Sequence, residues 1–243
     1  MSEQVIFYDL ANQQGTAWSL NPWKTRLILN YKNIPYKTEW IEYPDLAPKL
    51  QALGIPPNDP SAPGYFTPYS SPAIRYASGS CGMDSWPIAH ELEKQYPSPS
   101  LHLDDPIVVQ MRDHVSNIMK PLVAHLLPKV PDVILNPVSA KYFNDTRAQV
   151  FGMTLQEMER TMATEQAWED AKPPAREVGK WLRMDGAGPF FLGKTVSYAD
   201  FILVAFFQML KRIGQSELER YLALDEAFPK VYEACGKWLE KED

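Results

Sequence analysis

The sequence predicts a small α/β domain followed by an all-helical one, and three observations carry that reading. Strand and helix signals alternate through about the first hundred residues, and from Pro106 onward the apolar period becomes uniformly helical. Between the two lies PSPSLHLDDP, Pro97 to Pro106, a proline-rich stretch of linker composition. The boundaries expected are 1–97 for the first domain, 98–106 for the linker and 107–243 for the helical domain. No internal repeat is present.

In the first domain, Val5 to Tyr8 (VIFY) is the short apolar run of a buried strand. Asn21 offers a helix N-cap with Pro22 in the first helical position, and Trp23, Leu27 and Tyr31 give that helix one face. Tyr36 to Tyr43 alternates with period two, as a strand does. The segment from Pro44 to Pro72 is dense in proline and glycine and reads as a helix-and-loop excursion. Ala73 to Tyr76 and Gly82 to Met83 read as a hairpin, and Ser85 to Tyr96 as a helix with Ile88 and Leu92 on one face. The order is β-α-β-(α)-β-β-α.

In the second domain, Met111, Val115, Ile118, Leu122 and Leu126 form one helical stripe. A proline-rich break through Pro128, Pro131 and Pro137 follows. Further helices are expected over Thr154–Trp168, Pro173–Met184, Ser197–Ile213 and Phe228–Lys241. Ser197-Tyr198-Ala199-Asp200 has the spacing of a capping box, with Val196 and Phe201 placed as a hydrophobic staple.

Composition narrows the function classes. The 243 residues are 45% hydrophobic and 22% charged, which is ordinary globular usage. With 24 basic and 30 acidic residues the net charge is -6, so no basic footprint for nucleic acid exists. The N-terminus lacks a secretory pattern, and the longest apolar run, Phe201 to Phe207, is too short to cross a bilayer. Cys81 and Cys235 form no paired motif, and His90, His102, His114 and His125 lack metal-ligand spacing. A cytoplasmic, soluble protein without a metal is expected.

Three local patterns bear on chemistry. Ser19 lies just ahead of the first helix, with Arg26 seven residues later. A helix N-terminus carries free N–H groups and roughly half a positive charge, and so attracts anions. A hydroxyl placed there can donate to a thiolate and lower the pKa of the thiol from ~8.5; a shift of two units needs about 2.7 kcal/mol. Ser71-Pro72 opens a strand, where a cis peptide would turn the Ser71 backbone toward an extended peptide ligand. Asp84 and Ser85 stand at a second helix start, where N–H groups and a hydroxyl suit a carboxylate and Asp84 suits an amine. Singly, each pattern also fits a plain turn, a trans proline or an ordinary N-cap.

Together these patterns, with the capping box that follows FFLGKT, resemble the glutathione transferase superfamily along nearly the whole chain. The resemblance implies a thioredoxin-like domain followed by a helical bundle. It implies glutathione as co-substrate, Ser19 as the residue that activates its thiol, and Ser71 pairing by backbone with the cysteinyl unit beside cis-Pro72. Asp84 and Ser85 would hold the γ-glutamyl end. The stretch WSLNPWKTRLILNYKNIPYKTEWIEYPDL is similar to the fungal etherase-related serine class, itself similar to bacterial lignin β-etherases. That class implies a homodimer acting on bulky aromatic compounds, by conjugation or by cleavage of β-aryl ethers. Trp18 and Trp23 flank the Ser19 turn and, with Met111, Val115 and Met119, are candidates to line the acceptor pocket; core packing is the other reading of both tryptophans. A ligand carrier of aromatic compounds is the alternative function. A thiol-transfer enzyme would need cysteine where Ser19 stands.

Overall fold

The computed structural model describes residues 4–61, 65–186 and 188–242. The first half runs β1 (Val5–Leu10), α1 (Leu20–Tyr31), β2 (Tyr36–Ile41), α2 (Tyr43–Ala52), β3 (Ala73–Arg75), β4 (Cys81–Met83) and α3 (Ser85–Gln95). The sheet order is β2-β1-β3-β4, with β1 parallel to β2 and antiparallel to β3. A β-α-β unit joined to a β-β-α unit in this order is a thioredoxin-like domain. Strand β1 is central, which explains its unbroken apolar run: Val5, Phe7, Tyr8 and Leu10 are all buried.

Two of the boundaries that differ from expectation have a local cause. Helix α1 begins at Leu20 with Ser19 as N-cap, because the Trp23 N–H already bonds the Ser19 carbonyl (3.1 Å). Pro22 is the third helical residue, still within the first turn, where its missing N–H costs nothing. Strand β2 ends at Ile41, since Tyr43 and Pro44 open α2 behind the N-cap Glu42.

The second half is α4 (Pro106–Met119), single turns over Lys120–Leu122 and Leu127–Lys129 around α5 (Val123–Leu126), then α6 (Val130–Val133), α7 (Pro137–Phe151), α8 (Leu155–Met162) and α9 (Glu165–Leu182). It closes with α10 (Tyr198–Ile213), α11 (Gln215–Leu222), α12 (Ala227–Ala234) and α13 (Gly236–Leu239). No described helix is long and apolar enough to cross a membrane. Three expectations are corrected here. Helix α7 falls partly in the supposed proline break, with Pro137 in its first turn and Gly152 closing it in the left-handed region (φ 70°). Helix α9 starts at Glu165 and runs through Pro173 and Pro174 instead of breaking there. The carbonyls those prolines leave without helical donors belong to Glu169 and Asp170, both exposed, so water can take their place. The final helical stretch is divided after Ala234.

Helix α10 is the axis of the molecule. Every residue from Tyr198 to Leu210 is buried, and it packs on α1, α4 and α11. Its N-terminus is held by the Asp200 carboxylate, which accepts from the Ser197 N–H (2.7 Å), the Ser197 hydroxyl (3.0 Å) and the Phe191 N–H (3.0 Å). The capping box is present as its spacing predicts. One apolar core extends through both halves, and Tyr31, Phe201 and Trp238 meet edge to face where α1, α10 and α13 join.

Helix α9 approaches the turn before α12 most closely at Gly179, where a Cβ would strike the Asp225 carboxylate. That carboxylate cannot retreat freely, because Arg183 holds it bidentately and the Ala227 N–H donates to it (2.9 Å). Gly179→Ala is therefore expected to cost about 1–3 kcal/mol, read as a lowered thermal midpoint.

Candidate active site

The loop between β1 and α1 is braced before it delivers Ser19. Asn12 Oδ1 accepts from the N–H groups of Gln14 (2.9 Å) and Thr16 (3.3 Å). The Gln13 backbone N–H and side-chain amide donate to the carbonyls of Ile134 (2.9 Å) and Leu135 (2.7 Å), so the helical half holds the loop as well. The Ala17 N–H donates to Glu242 (2.8 Å), whose carboxylate also pairs with Arg212. Ser19 follows with extended backbone (φ -82°, ψ 140°) and a half-buried side chain. Its hydroxyl makes no capping bond and no bond to another described residue, which leaves it free to donate at the helix N-terminus.

Arg26 is turned into the interior. Its guanidinium is fully buried and pairs with the equally buried Asp9 (2.8 Å), bonds Thr38 (3.0 Å) and Tyr36 (3.3 Å), and reaches the Glu242 carbonyl. Rings of Phe7, Trp23, Tyr36 and Trp40 surround it. Burial pushes the Asp9 carboxyl above its usual range, against the pull of Arg26. The residue seven positions after Ser19 thus anchors α1 to the sheet.

The Ser71–Pro72 peptide is cis. Ser71 is buried and its hydroxyl donates to the Tyr8 carbonyl on β1 (3.3 Å), while its own backbone N–H and carbonyl bond no described residue. The Pro72 carbonyl accepts from the Asp84 N–H (3.0 Å), which joins two of the expected site segments directly. Asp84 is held at φ 74°, a region costly for a side-chain-bearing residue by about 1–3 kcal/mol. There it caps α3 through the Trp86 N–H (3.0 Å) while its carboxylate remains exposed. Ser85 is buried in the first turn, and its carbonyl accepts from Tyr198 of α10 (3.3 Å).

Lys24, which sequence reasoning passed over, lies on the same helix as Ser19. It is 8% exposed, and burial pushes its amine down to about 8 while the charge of Asp84 pulls it back up. Its side chain has no hydrogen bond or ion pair to a described residue.

The expected acceptor residues divide. Trp23 and Met111 have no exposed surface and are core side chains, so neither can meet a co-substrate in this conformation. Val115 and Trp18 are nearly as buried, and Met119 is half-buried. Apolar stripes that read as lining face inward because α1 and α4 both pack on α10. Trp18 does open onto an aromatic array that sequence reasoning missed: its ring lies 6.5 Å from Tyr43, which stacks on Tyr142 (6.2 Å) and meets Phe143 (5.6 Å). Arg147 lies over Tyr43, Phe66 and Phe143, and both Tyr142 and Phe66 are exposed. Glu42 ties this region together by accepting from Asn136 (2.6 Å) and from Ser139, whose hydroxyl accepts from the Tyr43 N–H (2.9 Å). The Asn136-Pro137 pair was the available signal for α7. A depression of about 610 Å³ lined by His90, Glu93, Lys94 and His102 lies beside α3 and contains none of the expected site residues.

A four-stranded thioredoxin-like domain packed on a helical domain is the fold of the glutathione transferase class. The description "Glutathione S-transferase, N-terminal domain" matches residues 18–95, and "Glutathione S-transferase, C-terminal domain" matches residues 111–238. The chain is 34% identical over 254 residues to the glutathione S-transferase-like protein ustS of Aspergillus flavus, covering 96% of this chain and 90% of the relative. Among solved structures it is similar to the glutathione S-transferase CsGST63524 of Ceriporiopsis subvermispora in complex with glutathione, at 32% identity and TM-score 0.84 over 97% of this chain and 98% of that one. It is similar also to glutathione transferase GSTFuA3 of Phanerochaete chrysosporium, at 28% identity and TM-score 0.89 over the full length of both. The chain belongs to the glutathione S-transferase family.

Proposed function

We propose that this transferase activates glutathione through Ser19 and conjugates it to bulky aromatic electrophiles, β-aryl ethers among them. The observation that carries the reading is the Ser19 hydroxyl, unengaged at the N-terminus of α1 in a loop braced from both halves. Glutathione lies along the Ser71 backbone beside cis-Pro72, with its γ-glutamyl end at Asp84 and Ser85. The Ser19 O–H donates to the cysteinyl sulfur and favours the thiolate. The thiolate attacks the carbon bearing the aryloxy group, a C–S bond forms as the C–O bond breaks, and the phenolate leaves and takes up a proton from water. The array from Trp18 to Phe66 suits an aromatic acceptor, since ring-on-ring contact adds to simple burial. The domain boundaries at 97 and 107, a cytoplasmic setting and a homodimer belong to the same proposal.

The test is glutathione-dependent release of a fluorescent phenol from a model β-aryl ether. Ser19→Ala should reduce the rate about tenfold or more, an activation loss of about 1.4 kcal/mol, while binding of S-methylglutathione persists. An unchanged rate overturns the role of Ser19. The exposed rings of Tyr142 and Phe66 also favour a second reading, carriage of aromatic ligands, which predicts saturable aromatic binding in Ser19→Ala with no phenol released by wild type.

A further inference from the structure

Among the described residues, two guanidinium groups are each set against three or more aromatic rings, and one of the two holds an anion. Arg26, among Phe7, Trp23, Tyr36 and Trp40, pairs with Asp9. Arg147, half-buried on α7, lies over the rings of Phe143 (4.2 Å), Phe66 (5.1 Å) and Tyr43 (5.6 Å). It donates to the neighbouring Thr146 hydroxyl (3.0 Å) and has no carboxylate partner among the described residues. Arg112, Arg183, Arg212 and Arg220 each have one. The acids of the same region are engaged elsewhere: Asp145 with Lys141 (2.6 Å), and Glu42 with Asn136 (2.6 Å) and Ser139.

A guanidinium whose face rests on rings keeps the N–H groups of its edge for other partners, in a fork that matches a carboxylate. Beside that fork lie the exposed rings of Tyr142 and Phe66. Together they are the complement of an aromatic acid, whose ring would stack on the array while its carboxylate accepts from the guanidinium. Resting on the reading above that this array receives the acceptor, we infer that Arg147 is a specificity-determining residue and that the acceptors are aryl carboxylates, whose carboxylate pairs with the Arg147 guanidinium. Tyr43 meets Trp18, the residue before Ser19, as well as Arg147. Arg147 makes no bond to the Ser19 hydroxyl, which stays available to the thiolate. The recognised carboxylate therefore belongs on the part of the acceptor remote from the reacting carbon, and it would give Arg147 the partner that Asp9 gives Arg26.

The experiment titrates the protein by calorimetry with 2-naphthoate and with 2-naphthamide, which differ in charge and hardly in shape. Wild type should bind the acid about tenfold or more tightly than the amide, with the gap narrowing as salt is raised. Arg147→Met should bring the ratio close to one through loss of affinity for the acid. Arg147→Lys should keep part of it, since it retains the charge without the planar fork. Arg147→Gln is a second uncharged form should the methionine variant not fold. Turnover is followed with 4-chloro-3,5-dinitrobenzoate and its amide, each rate divided by that of the uncatalysed reaction. There the thiolate attacks the carbon bearing chlorine, a C–S bond forms as the C–Cl bond breaks, and chloride leaves. The loss in Arg147→Met should appear in KM for the acid rather than in kcat. The inference is overturned if wild type binds the acid no more tightly than the amide, or if the uncharged variants leave the ratio as it was, which is the result of a merely structural contact between α7 and Phe66. If wild type binds neither naphthalene while still conjugating an uncharged electrophile, the array is not the acceptor site and both readings fall; if it binds the two equally, only this inference falls.

Discussion

Asp200→Ala is expected to destabilise the protein by about 2–5 kcal/mol, and to lower its thermal midpoint by roughly 5–15 °C. The carboxylate lies wholly inside the molecule and serves three donors, the N–H groups of Ser197 and Phe191 and the Ser197 hydroxyl. Alanine leaves all of them buried without an acceptor and removes the cap of the central helix. Asp200→Asn should fall between, because its carbonyl oxygen can serve one side of this set while its amide presents a donor to the other. The same site gives a pH dependence. Burial pushes the Asp200 carboxyl up to about 7 although the hydrogen bonds pull it down. Its folded pKa thus exceeds the unfolded value of about 3.9, so the folded state holds the proton more tightly between the two. Stability from this group is full below the unfolded pKa and is lost as pH rises toward about 7. Urea midpoints at about pH 5 and about pH 8 should differ less in Asp200→Asn than in wild type. An equal difference in the two proteins would contradict the assignment.

Arg26→Met should cost about 3–5 kcal/mol, because it strands the Asp9 carboxylate in the sheet with no counter-charge. Asp9→Leu alone should be comparably harmful, since it strands the guanidinium among Phe7, Trp23, Tyr36 and Trp40. The double variant should recover much of the loss, because replacing both members of a buried ion pair removes two desolvation costs together. Urea unfolding of the four proteins yields the coupling energy directly. Strictly additive losses would show that Arg26 matters through its rings and the Glu242 carbonyl, not through Asp9.

Legibility in the sequence followed the range of the interaction. Ser71-Pro72, Asp84-Ser85 and Ser197 to Asp200 are devices completed within a few residues, and each is where its local pattern puts it. The start of α1 moved from Asn21 to Ser19 because proline is tolerated anywhere in a first turn, so Pro22 marks the turn without marking its first residue. Helix α7 escaped because it buries little of itself, Ser139 and Phe143 on one side, and so carries no full stripe. Trp23 and Met111 show the converse: a stripe announces burial without saying whether a neighbouring helix or a ligand supplies it. The Arg26–Asp9 pair, the lack of a partner for Lys24 among the described residues, and the array that runs from Trp18 through Tyr43 to Tyr142 depend on distant segments meeting or failing to meet. No window along the chain contains them.

The junction of Tyr31, Phe201 and Trp238 bears on how such a protein can diverge. Those rings come from α1, α10 and α13, so the sheet domain and the helical domain share one interior. A recombination event that exchanged the helical half whole would have to import a matching face of α10, or leave the back of α1 open to water. Helix α7 carries no such obligation: only Ser139 and Phe143 of it are buried, and it contributes Tyr142, Phe143 and Arg147 to the aromatic array. If the array receives the acceptor, as proposed above, change in what the protein accepts is cheapest there, in a segment that can drift while the shared interior stays under constraint.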